Sequence, residues 1–138
     1  MNRGERIFVD TSFWIALAVA RDPLHSRARD QWSSLRRAGV KLHTSVPIIV
    51  ETFTFLDRNA NRDVALTWKQ SVYKPGIVTI SVCELDDLER SWRYFQRRDL
   101  YRLSAVDATS FAIMERLRIR TACTFDHHFV VAGFKLPD

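Results

Sequence analysis

Short unbroken apolar runs alternate along the chain with longer stretches whose apolar residues recur every three or four positions. Ile7-Phe8-Val9, closed by Asp10, reads as a strand buried on both faces. Ser12 to Arg21 reads as a helix stopped by Asp22-Pro23, and Leu24 to Ala38 as an amphipathic helix stopped by Gly39. Lys41 to Thr44 is a short strand, and Ser45-Val46-Pro47 opens a helix, since proline is tolerated in a first turn. Arg62 to Tyr73 is a further helix, ended by Pro75-Gly76, and Ile77 to Val82 a third strand. Asp86 to Arg98 is a charged helix with acids in its first turn and arginines in its last, as the helix dipole favours. Ser104 caps the next helix, Arg120 to Thr124 is a fourth strand, and Phe134 to Leu136 is a short edge strand after a turn at Gly133. Strands separated by helices predict an α/β fold with a parallel sheet covered on both faces. With no repeat, low-complexity tract or flexible linker, the chain reads as one domain over residues 1–138.

Composition narrows the function classes. A hydrophobic fraction of 46% is that of a globular protein and excludes a disordered one. A net charge of +5 favours polyanionic partners, nucleic acid first among them, while also fitting a merely solvated basic face. The two cysteines, Cys83 and Cys123, sit in apolar runs, and neither their number nor their spacing suggests a zinc centre or a disulfide framework. Phe13 to Ala20 is too short to span a bilayer, and the segment from Met1 to Arg6 lacks a signal-peptide pattern. The expected location is therefore the cytoplasm.

Four acids stand where acids do not normally belong. Asp10 closes the first apolar strand, and Glu51 follows Ile48-Ile49-Val50 inside a helix. Asp107 lies among Val106, Ala108 and Phe111, and Asp126 follows Ala122-Cys123-Thr124-Phe125. Acids are rarely buried unless something pairs with them, and an uncompensated carboxylate costs several kcal/mol or takes up a proton. In an open parallel sheet, ligands bind beyond the carboxyl ends of the strands. Asp10 and Asp126 should project to that edge, with Asp107 at a helix N-terminus facing it and Glu51 one turn into another helix. Such carboxylates can crowd together only if they share protons or cations. Oxygen ligands select hard ions such as Mg²⁺ or Mn²⁺, which activate water and stabilise charge on a phosphodiester undergoing hydrolysis. Each acid also has a local reading: Asp107 as the return residue of a capping box, Asp10 as a helix cap, Asp126 as a turn residue. Glu51 has no such local task.

Taken in order, Phe8-Val9-Asp10-Thr11-Ser12, Glu51 after Thr44-Ser45, Leu103-Ser104-Ala105-Val106-Asp107-Ala108 and Thr124-Phe125-Asp126 resemble the successive motifs of PIN-domain proteins, VapC-type ribonuclease toxins in particular. The likeness runs through Asp126-His127-His128-Phe129 and Ala132-Gly133-Phe134, and so spans nearly the whole chain. It implies a Rossmann-like three-layer α/β/α sandwich around a mostly parallel four- to five-stranded sheet. It implies a Mg²⁺- or Mn²⁺-dependent endoribonuclease acting on structured RNA, leaving 5′-phosphate and 3′-hydroxyl ends. A homodimer and a small cognate antitoxin are implied as well. Carried over by position, Asp10 and Asp107 are the principal metal ligands, and Glu51 and Asp126 complete a catalytic acidic pocket. Ser12 and Thr124 stand where the family has hydroxyls that hold nearby carboxylates, although a capping or turn role fits them equally. Two rival readings remain: a housekeeping RNA-processing or structure-specific nuclease, and a PIN-like scaffold that binds RNA without cutting it. The second rival is disfavoured by the presence of all four acids.

Arg90, Arg93 and Arg97 recur at helical spacing and are candidate RNA contacts, because the planar guanidinium donates two hydrogen bonds to a phosphate, and Arg27, Arg29, Arg36 and Arg37 cluster on the second helix as further basic surface. A solvent-facing helix would show the same pattern. Asp99 is expected to be a loop residue paired with a neighbouring arginine, and His127 and His128 to be solvated loop residues. Trp14, Trp32, Trp68 and Trp92 fit core or dimer packing better than base stacking.

Overall fold

A computed structural model describes residues 1–138. Its elements in chain order are β1 (Arg6–Val9), α1 (Thr11–Ala18), α2 (His25–Ala38), β2 (Lys41–Ser45), α3 (Val46–Asn59), α4 (Arg62–Val72), β3 (Val78–Ser81), α5 (Leu85–Phe95), α6 (Ala105–Leu117), β4 (Thr121–Cys123) and α7 (His128–Val131).

The four strands form one sheet in the order β3-β2-β1-β4, and every pairing is parallel. The chain steps outward from β1 through β2 to β3, then returns to place β4 on the other side of β1. Parallel crossovers are right-handed, so reversing direction puts α5 and α6 on the face opposite α1 to α4, giving three α/β/α layers. Most helix contacts fall within these two groups, α1 packing on α2 and α3, α3 on α4, and α5 on α6, while α3 also meets α6. The strand order reverses between β1 and β4, which is where such sheets bind ligands. Ile7, Phe8 and Val9 are wholly buried there, as a continuous apolar central strand requires.

Helix boundaries follow local chemistry. Ser45 accepts a hydrogen bond from the Ile48 N–H and starts α3, while Gly39, with φ +69°, closes α2 in the left-handed conformation that glycine adopts freely. The Trp14 ring lies 5.6 Å from Trp32 and 5.9 Å from Trp68, which ties α1 to α2 and α4.

Several expectations are corrected. α1 ends at Ala18 rather than Arg21, because Val19 is already extended (φ −101°, ψ 106°). α5 ends at Phe95, so Arg97 and Arg98 lie beyond it and only Arg93 occupies its last turn. The segment around Phe134 to Leu136 forms only a bridge between Lys135 and Thr121, with no fifth strand. The four-residue α7 has too few positions to show a helical period, and the sequence gives no sign of it. Trp92 is 58% exposed, which removes the core half of its reading and leaves dimer packing. α5 is in fact inverted: it buries Asp87, Ser91 and Tyr94 while exposing Leu85, Leu88, Trp92 and Phe95.

Candidate active site

Asp10 directly follows β1, and its N–H still bonds the Cys123 carbonyl, which fixes it against β4. It is 2% exposed. Its Oδ2 accepts three hydrogen bonds, from the Ser12 N–H at 3.3 Å, the Ser12 hydroxyl at 2.8 Å and the Thr124 hydroxyl at 2.9 Å. Those hydroxyls are themselves held from behind. Ser12 Oγ accepts the Phe125 N–H and Thr124 Oγ1 accepts the Asp126 N–H, each at 2.9 Å. The capping role of Asp10 is thus real, but it occupies one oxygen only. Oδ1 is buried without any hydrogen-bond partner.

Asp107 enters from the first turn of α6, where Ser104 accepts its N–H at 3.0 Å. Its carboxyl group does not reach back to the Ser104 N–H, so the capping-box reading of this acid fails. Its carboxyl group lies instead beside that of Asp126, close enough for a hydrogen bond between the two to shift both pKa values. Burial, then the charges of Asp10, Asp126 and Glu51 together with that shared hydrogen bond, push the Asp107 pKa up to about 9. Burial likewise raises Asp10 to about 6 against the lowering effect of Ser12 and Thr124. Burial also works to raise Asp126, but the hydrogen bond from Asp107 and the contacts with His128 outweigh it and hold that carboxyl below its ordinary value.

Asp126 also makes the turn expected of it. Its Oδ1 accepts the His128 N–H at 2.9 Å and faces His128 Nδ1 at 2.7 Å, while His128 Nε2 faces the Tyr101 carbonyl at 2.7 Å. With an acceptor at each nitrogen, the ring makes both bonds only as the imidazolium. Burial opposes that charge, but the Tyr101 carbonyl and Asp126 prevail and raise the pKa. His128 is consequently a buried link between two loops, not the solvated residue expected, whereas His127 is exposed.

Glu51 stands at the margin. It is half-buried on α3, makes no hydrogen bond, and raises the Asp107 pKa through its charge. It lines an apolar groove of about 600 Å³ with Val46, Pro47, Val50, Val82, Cys83 and Val106. The structure thus gathers Asp10, Asp107 and Asp126 around the β1–β4 reversal and sets Glu51 beside them.

Asp87 on α5 supplies the control. It is wholly buried, yet Arg116 approaches it with Nε at 2.9 and 3.1 Å and Nη2 at 2.9 Å, Arg90 donates at 2.7 Å, and the Glu84 N–H donates at 2.8 Å. Burial works to raise its pKa, but these partners reverse the shift. No arginine or lysine bonds the carboxylates of the β1–β4 cluster. An orphaned buried oxygen on Asp10 and a carboxylate donor set that no arginine or lysine neutralises fit a hard divalent ion. Asp126, His127 and His128 also bring ligand atoms within 4.8 Å of one another, but both nitrogens of His128 are already engaged.

The candidate RNA arginines occupy different settings. Arg90 is engaged by Asp87, by Asp86 at 3.3 Å and by the Ala112 carbonyl. Arg97 pairs with Asp99 at 2.6 Å, as expected for that loop acid. Arg93 is exposed and makes no ion pair.

Comparison with known proteins bears on the family and the fold. A family model described as the PIN domain matches residues 7–135. Two relatives, each named 23S rRNA-specific endonuclease VapC20 and belonging to two strains of Mycobacterium tuberculosis, are 37% identical over 128 residues, covering 93% of this chain and 95% of theirs. The crystal structure of Mycobacterium tuberculosis VapC20, described as a sarcin-ricin loop cleaving toxin, superposes with a TM-score of 0.83 at 36% identity, over 93% of this chain and 95% of that one.

Proposed function

The chain belongs to the PIN-domain family, and on that premise we propose that it is a divalent-metal-dependent endoribonuclease, the toxin of a toxin–antitoxin pair, whose substrate is structured ribosomal RNA. One domain spans the whole chain. The observation that carries the reading is the buried, unpartnered Oδ1 of Asp10, set among acids that no arginine or lysine neutralises. Asp10 and Asp107 would hold Mg²⁺ or Mn²⁺, with Asp126 and Glu51 completing the pocket. When bound, such an ion lowers the pKa of water and offsets the charge that builds on the attacked phosphate, leaving 5′-phosphate and 3′-hydroxyl ends.

The residues of the chain do the rest. Ser12 and Thr124 fix Oδ2 of Asp10 and thereby aim Oδ1 into the pocket. Asp107, whose pKa its acidic neighbours raise, would hold the ion as the carboxylate and so would bind it with loss of a proton. The imidazolium of His128 orients Asp126 from behind, as groups bonded to metal ligands commonly do.

The inverted α5 supports the homodimer. Leu85, Leu88, Trp92 and Phe95 form an exposed apolar stripe at the three-and-four spacing by which helices pack on each other. A second copy would cover it isologously. A small antitoxin is the other partner. No helix is long and apolar enough to cross a membrane, and the cytoplasm, where ribosomes are, is the proposed location.

Incubation of the purified protein with ribosomes, with and without Mn²⁺, followed by end mapping, tests the reading. Cleavage of 23S rRNA, the substrate class named for the relatives, is expected with Mn²⁺ and not with EDTA. Cleavage of equal extent by Asp107→Asn would overturn it.

A further inference from the structure

One arginine of α2 lies over the ring of Phe125, the residue between Thr124 and Asp126, with its own donors unused. Phe125 sits between Thr124 and Asp126, its N–H bonded to Ser12 at 2.9 Å and its ring stacked on Phe13 at 5.7 Å. Over that ring lies the guanidinium of Arg27, with Cζ 5.4 Å from the centroid. A guanidinium lying against an aromatic face keeps its N–H donors directed outward in its own plane. In Arg27 none of these donors bonds to any group of the protein, and the side chain is exposed. Arg97 and Arg116, by contrast, are clamped to Asp99 and Asp87.

Helix electrostatics do not explain the placement. Arg27 is the third residue of α2, at the positive end of a helix that has no acid in its first turn and no side-chain cap. A cation there works against the dipole. An acidic pocket also repels the phosphate it must process, so an exposed cation held on the loop that carries Asp126 meets a need that the carboxylates create.

We infer that Arg27 is a substrate-positioning residue: steadied on Phe125, its guanidinium grips an RNA backbone phosphate next to the scissile one. This rests on the nuclease reading above. Two parallel N–H bonds to the phosphate oxygens would set the register of the strand over Asp10 and Asp107.

The test compares the parent protein with Arg27→Gln and Arg27→Lys in steady-state cleavage of 23S rRNA at several salt concentrations, alongside calorimetric Mn²⁺ binding. For Arg27→Gln, KM is expected to rise about tenfold with kcat within about twofold, and the salt slope of log KM to fall by about one, the signature of a lost phosphate contact. Arg27→Lys keeps the charge without the fork, so it should restore the salt slope and only part of KM. Mn²⁺ affinity should not move. An unchanged KM and slope would overturn the inference. So would a loss of Mn²⁺ affinity in Arg27→Gln, which would make Arg27 a packing residue for the loop. Binding of a 23S rRNA fragment in the Asp107→Asn background, with and without Arg27→Gln, makes the same comparison without turnover. A parent protein that cuts no RNA would therefore refute the nuclease reading while still leaving the Arg27 contact measurable.

Discussion

The hydroxyl of Thr124 lies 2.9 Å from Oδ2 of Asp10, joining the ends of β1 and β4 across the point where the strand order reverses. With Ser12 it fills the hydrogen-bonding capacity of that oxygen, so that whatever Asp10 binds from outside must bind at Oδ1. The pocket is thereby polarised into a scaffolding side and a receiving side.

Thr124→Val should separate the two. It removes one donor to Asp10 and leaves the Asp126 N–H without its acceptor, at a cost of roughly 1–3 kcal/mol for the stranded buried group. Mn²⁺ affinity should fall about tenfold, the usual scale for a group that orients a metal ligand. Calorimetry on Thr124→Val and Thr124→Ser reads this directly, and Thr124→Ser should retain most of the affinity.

Acid stability of the metal-free protein should run opposite to the common pattern. An aspartate whose folded pKa exceeds its unfolded value binds its proton more tightly when folded, so stability falls as pH rises between the two values. For Asp107 that window runs from 3.8 to about 9, and for Asp10 from 3.8 to about 6. Metal binding must expel the proton of Asp107, so affinity should rise with pH across the neutral range, with about one proton released per protein at pH 7. Titrations in buffers of different ionisation enthalpy count that proton; no release would place the metal elsewhere.

Asp87→Ala should behave in the contrary way. Stranding Arg116 and Arg90 costs roughly 3 kcal/mol, at the lower end for a broken buried pair because both arginines are partly exposed. Mn²⁺ affinity should stay unchanged. Denaturant unfolding with parallel calorimetry distinguishes a structural acid from a metal-binding one.

The apolar stripe of α5 makes the oligomer testable. Trp92→Glu, at the centre of the stripe, should convert a dimer to a monomer in sedimentation equilibrium without lowering the melting temperature of the monomer, since Trp92 is already exposed. A parent protein that sediments as a monomer at high concentration would contradict the dimer.

The four strands and the acids near their ends were legible because each depends on local contrast. An apolar run closed by Asp10 or followed by Asp126 is a conflict visible within a few residues. Asp87 was not legible, because Arg116, which satisfies it, is 29 residues away and the acid looks locally like an ordinary first-turn residue. The same limit hid the inversion of α5. Its apolar stripe is plain in the sequence, but whether a stripe faces inward or outward depends on what α6 presents to it. The burial of His128 depends on the Tyr101 carbonyl, which no local pattern reveals. Phe134 to Leu136 has strand-forming composition but meets β4 only through Lys135.

The most direct measurement is an anomalous difference map from crystals soaked in Mn²⁺. A peak about 2.1 Å from Oδ1 of Asp10, the distance such ions demand of oxygen ligands, and beside the carboxyl of Asp107 is the expected result. Saturating Mn²⁺ that leaves this oxygen bare, or that collects only at Asp126 and His127, would contradict it.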